Sequence, residues 1–288
     1  MKKSLIWLVF FLVCFPKGLM AQSVNNYPLW QLVAQSDLII IGVPYVPTDQ
    51  IEEGLQERAS HYITFEVSVK EVLKGERKKD SLEIIYWPVE EIYRPSPLLL
   101  RELSEKDSIF FLDEIDDEDS KSLNFAGHTP NALQPFDREV VSRLQEEVAY
   151  QQTVLKNFET EIKTSELAHY EQVKRLIQDL TIGRKQLDNF NTLEQLGEEA
   201  VPAIIYLMDD FRKLPIKRIS LENPPGFFEL QRHYSPERVV DALAAILNQI
   251  TGTGFGTMIY NGASNKERQR TIDGWRIYLH YQQRQDKQ

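Results

Sequence analysis

The chain has 288 residues, 43 acidic against 33 basic side chains, a net charge of −10 and one cysteine. An acidic surface repels phosphate backbones and anionic lipid headgroups, so nucleic-acid and membrane-surface binding are disfavoured. A lone cysteine, Cys14, excludes an intrachain disulfide and a multi-thiolate metal site.

Residues 1–21 have the pattern of a secretory signal: Lys2 and Lys3, the apolar run Leu5–Phe15, a Pro16–Gly18 break and Ala21. The run is shorter than the roughly 18–20 apolar residues that a membrane span requires. This pattern predicts a secreted or periplasmic protein that loses the segment and has no membrane span afterwards. Cys14 leaves with it, as do Lys2, Lys3 and Lys17, so the remainder is more acidic still. That remainder divides into a β-rich part (22–136), a helical linker (137–165) and a helical part (166–288).

Tyr27–Gln35 reads as a short helix. Ser36–Val46, SDLIIIGVPYV, is a β-branched run closed by Gly42 and Pro44. His61–Leu73 alternates, with Ile63, Phe65, Val67 and Val69 on one face and Thr64, Glu66, Ser68 and Lys70 on the other, the period of a half-buried strand. Ser81–Trp87 supplies a third strand. A proline-bearing loop (Pro88, Pro95, Pro97) follows, then a fourth strand at Asp107–Asp113 and a short fifth at Leu123–Phe125. Such a series predicts a small antiparallel sheet curled into a barrel.

From Asp137, a candidate N-cap, the spacing turns helical, with Val140, Val141, Leu144 and Val148 on one side. Thr153–Thr164 either continues that helix or links to the next, Ser165–Leu180. Thr192–Asp210 reads as a helix, a break at Gly197, and a second helix with Pro202 in its first turn, where the missing N–H costs nothing. Pro236 repeats that arrangement ahead of Glu237–Ile250, and Lys266–Gln282 forms a last helix with Ile272, Trp275 and Leu279 inward. The fold class is therefore α+β.

Two segments, GEEAVPAIIYLMDD (197–210) and VVDALAAILNQITG (239–252), make residues 190–281 resemble HEAT-like helical repeats. The closing stretch is similar to the tails of exported bacterial HEAT-like proteins. The likeness implies helix packing and an extended binding face; it implies no reaction. An insertion, Lys213–Tyr234, interrupts the pattern and favours two or three irregular helix pairs over a regular solenoid. In the first half, SDLIIIGV, FEVSVKEVLKGE and EKDSIFFL resemble strands of small exported OB-like barrels, the class of netrin-like and metalloprotease-inhibitor domains. Inhibition in that class uses an N-terminal cysteine, which Gln22 after cleavage cannot replace.

No catalytic residue, metal or cofactor is expected. His61, His128, His169, His233 and His280 show no zinc spacing. The acidic run Asp113–Asp119 lacks the alternation and glycine of a calcium loop. Gly252, Gly254 and Gly256 follow a helix and read as its termination. A nucleophile-elbow GxSxG is absent. The function that remains is a non-catalytic binding or scaffolding role in the cell envelope, with a protein partner. The alternative is an envelope-polymer hydrolase with a dispersed site near Glu90, Glu91 and His128. The candidate partner-binding residues are Arg218, Phe227, Phe228, Arg232 and Tyr234, because aromatics with arginine populate interface centres. The competing expectation is that Phe227 and Phe228 plug the helical core.

Overall fold

A computed structural model of the chain describes residues 26–47, 63–76, 79–86, 94–117, 120–127, 129–222, 231–255 and 263–285. The expected signal, His61, Trp87, Glu90, Glu91, His128, Phe227 and Phe228 lie outside the described residues.

Five strands close the N-terminal barrel: β1 (Leu38–Tyr45), β2 (Ile63–Lys74), β3 (Ser81–Tyr86), β4 (Ser108–Asp117) and β5 (Ser120–Phe125). Their order is β1-β2-β3-β5-β4, and β1 also pairs with β4. This is the small closed barrel expected, with one departure. The β3–β5 contact, Ile84 against Leu123, is parallel, so the barrel is mixed rather than antiparallel throughout. Closure requires β1 to serve two neighbours along its length. Two register shifts against β2, at Ile39/Ile40 and Ile41/Gly42, give it the necessary bend. Gly42 stands at the second. A Cβ there would lie 2.6 Å from Val67 Cγ1 and 2.9 Å from the Ser68 carbonyl oxygen, so only glycine admits the approach.

The period-two pattern of β2 holds: Ile63, Phe65, Val67 and Val69 are buried, while Glu66, Ser68 and Lys70 are exposed. Inside the barrel Phe125 packs edge-on to Tyr86 at 5.7 Å and parallel to Phe110 at 6.4 Å. A short strand β6 (Leu133–Pro135) extends the sheet beside β4. In the proline-bearing stretch expected as a loop, helix α2 (Pro97–Leu103) forms between β3 and β4. Its signal was present in the sequence: Ser96 accepts a hydrogen bond from the Leu99 amide at 3.1 Å, and Pro97 occupies the first turn.

The remaining helices are α1 (Leu29–Gln35), α3 (Arg138–Glu161), α4 (Tyr170–Asp179), α5 (Gly183–Gln195), α6 (Val201–Tyr206), α7 (Val239–Thr251) and α8 (Asn265–Gln285). Asp137 caps α3 through the Glu139 and Val140 amides, as its position predicted. The segment expected as a linker is a single helix to Glu161. Its Leu144 and Val148 belong to the barrel core, and Phe158 belongs to the helical core. Helix α4 starts at Tyr170 rather than Ser165, because His169 takes a left-handed conformation (φ 58°). Helix α5 starts at Gly183, earlier than expected, and α6 stops at Tyr206, leaving Met208–Asp210 outside it. Gly252 closes α7 with φ 68°, its amide donating to the Asn248 carbonyl.

Helix α7 is apolar nearly all round and accordingly central, with Val239 to Leu247 buried. Trp275 of α8 is fully buried beside it, edge-on to Phe255 at 5.2 Å. Beneath the start of α7, Arg268 donates to Asp241 through Nε (2.7 Å) and Nη2 (3.0 Å), with side-chain exposures of 3% and 0%. Asp241 also accepts from the Glu237 and Arg238 amides, so a single buried carboxylate both caps the helix and holds the guanidinium.

Candidate functional site

The insertion folds as a two-stranded hairpin, β7 (Ile219–Glu222) with β8 (Gln231–Tyr234). Ile219 pairs with Tyr234, and both are buried, at 2% and 5% exposure. The Tyr234 hydroxyl donates to Gln249 Oε1 of α7 at 3.2 Å. Tyr234 is therefore a core residue that anchors the hairpin, not part of an exposed patch. The next pair, Ser220 and His233, must face the other way by strand alternation, and both are exposed, with Ser220 Oγ 2.7 Å from His233 Nδ1. Arg218 is exposed at the root of β7 and makes no ion pair among the described residues, while its neighbour Lys217 reaches Glu237 at 3.2 Å. Of the five expected residues, the described structure thus brings Arg218 and the strand carrying Arg232 to one hairpin and takes Tyr234 inside.

A second constellation lies at the seam between barrel and helices, and no local motif announced it. Helix α1 is wedged there. Its Trp30 stacks on Tyr281 of α8 at 4.9 Å, and its carbonyl accepts from Gln151 of α3 at 2.7 Å. The Tyr281 hydroxyl bonds the Glu147 carboxylate, which with burial raises its pKa above the usual phenol value. Arg270 of α8 puts Nη1 against two barrel carboxylates, Asp37 just before β1 and Asp113 of β4, the latter at 3.0 Å. Lys266, one turn earlier, reaches Glu114 and lies 4.0 Å from Asp37. The i, i+4 spacing of Lys266 and Arg270 puts both cations on the helix face turned to the barrel. Burial pushes the Asp113 carboxyl up to about 7 although Arg270 opposes it.

Between these pairs and helix α3 opens a cleft of about 260 Å³. Lys74, at the end of β2, and Asp273, on α8, line it. Lys74 donates to the Val33 carbonyl at 2.6 Å, and burial lowers its pKa to about 8. Asp273 accepts from Gln269 at 2.9 Å, and burial raises its pKa.

Among the described residues no group of three or more His, Cys, Asp and Glu is placed to hold a metal ion, and no helix is long and apolar enough to cross a membrane. Comparison of the chain with protein-family models, with curated proteins and with solved structures finds no match.

Proposed function

We propose that the protein is an exported, non-catalytic binding or scaffolding protein of the cell envelope, an OB-like barrel joined to a HEAT-like helical domain, that engages a protein partner through the β7–β8 hairpin. Export rests on the Lys2–Ala21 pattern of the sequence. The observation that carries the binding role is the hairpin itself. Ile219 and Tyr234 root it in the helical core, while Ser220, His233 and Arg218, an arginine with no ion pair among the described residues, are exposed. A two-stranded ribbon whose outer edges pair with no other described strand can take a partner's strand, and an exposed arginine in a chain of net charge −10 is a local inversion of sign. The joined barrel and helices give the hairpin a fixed base, through α1, α3 and the Arg270 ion pairs.

The test is a side-by-side capture from an envelope extract with the wild-type chain and the double variant Arg218→Glu, His233→Glu as bait. Both positions are exposed, so the melting temperature should stay within about a degree or two, as surface changes usually do. The expected result is one or more proteins retained by the wild type and lost from the variant. The same set retained by both baits would remove the hairpin from the interface.

A further inference from the structure

Of the charged side chains that line the cleft, all but one cation and one carboxylate are in ion pairs. Arg270 is shared by Asp37 and Asp113, and Lys266 is taken by Glu114 and Asp37. The exceptions are Lys74 and Asp273. Neither makes an ion pair among the described residues, both are half-buried, and both line the same cleft. Asp37, Asp113 and Asp273 act on Lys74, and Arg276 and Lys74 on Asp273, without an ion-pair contact among the described residues. A charge so held off its counter-charges is under-compensated, and two of opposite sign facing one cavity specify what would relieve that cost.

We propose that the seam cleft binds a free α-amino acid with an aliphatic side chain, its carboxylate on Lys74 and its ammonium on Asp273. The site goes beyond the hairpin-mediated binding role and does not rest on it. A simple anion would satisfy Lys74 but meet repulsion from Asp273. A simple cation would do the reverse. A zwitterion answers both and adds no net charge to a buried cluster. The rest of the lining selects the side chain: Val33, Ala34, Val148, Leu155 and Ile277 form an apolar wall. The volume of about 260 Å³ sits just below the roughly 300–1,000 Å³ of pockets for drug-sized ligands, which suits a smaller molecule. Gln269, already bonded to Asp273, holds that carboxylate toward the cleft. The ligand would touch β2, α1, α3 and α8 at once and so would tie the barrel to the helices.

The experiment is isothermal titration calorimetry on the full chain with L-leucine, beside two one-ended probes, 4-methylpentanoate and 3-methylbutylamine. Leucine should bind, and each one-ended probe should bind about tenfold or more weakly, since a charge-assisted hydrogen bond is worth that factor. Lys74→Met and Asp273→Asn should each lose a similar factor for leucine, while Arg218→Glu, remote on the hairpin, should bind as the wild type does. Binding should also weaken as pH rises through about 8, where Lys74 gives up its proton. No heat from leucine at millimolar concentration would overturn the proposal, as would one-ended probes binding as well as leucine. Asp273→Asn is nearly isosteric and keeps the test decisive if Lys74→Met fails to fold: unchanged leucine affinity in a folded Asp273→Asn protein would also overturn it.

Discussion

Asp241→Asn should be among the most destabilising conservative changes in the helical part. The wild-type carboxylate is fully buried and accepts four hydrogen bonds, two from Arg268 and two from the Glu237 and Arg238 amides. An asparagine presents an NH2 group to some of those donors and leaves the Arg268 guanidinium, 3% exposed, without its balancing charge. The Glu237 carboxylate, 3.6 Å from Arg268 Nη2 and 32% exposed, is too wet and too distant to replace it. Removing one partner of a buried ion pair costs about 3–5 kcal/mol, a large part of the roughly 5–15 kcal/mol by which domains are stable. Equilibrium urea unfolding followed by tryptophan fluorescence reads this directly, because Trp275 is buried in the same core. The double variant Asp241→Asn, Arg268→Met removes the orphaned cation and should recover part of the loss, whereas independent sites would simply add. A loss below about 1 kcal/mol for Asp241→Asn, or strict additivity in the cycle, would refute the assignment of this pair as the fastening between α7 and α8.

Two further outcomes follow from the same geometry. Asp113 has a folded pKa of about 7 against about 3.9 unfolded, so the folded state holds the extra proton in between and stability should fall as pH rises from about 4 to 7. Asp113→Asn should abolish that fall, which totals at most on the order of 4 kcal/mol at a slope of about 1.4 kcal/mol per pH unit; parallel pH–stability curves for variant and wild type would contradict it. Gly274→Ala gains about 1 kcal/mol of helix propensity but sets a Cβ 2.6 Å from the Phe255 ring, so overpacking of about 1–3 kcal/mol should win and lower the melting temperature, with Phe255→Leu restoring it in the double variant.

Much of the chain was legible because the signals are local. The alternation of Ile63, Phe65, Val67 and Val69, the cap at Asp137 and the glycine after Thr251 act on neighbours a few residues away. The same local physics misled where two local forces compete. Pro95 and Pro97 suggested a loop, yet Ser96 and Pro97 together start α2. The spacing of Leu167 and Tyr170 suggested one helix, yet His169 breaks it. Tyr234 illustrates a different failure: an aromatic beside arginine reads equally as an interface or a core residue, and only its cross-strand pairing with buried Ile219 decides.

By itself, then, the sequence determined the five barrel strands, most of the longer helices and how their apolar faces run. The tertiary structure alone decided that β3 lies parallel to β5, that Arg270 meets Asp37 across 233 residues of chain, and that Lys74 and Asp273 share a cleft. The reason is physical. Periodicity and caps are short-range and leave their mark in neighbouring residues. A buried charge, by contrast, is matched by whatever side chain the closed barrel and packed helices bring within reach, and burial then shifts its proton affinity; neither the partner nor the shift exists until the chain is compact.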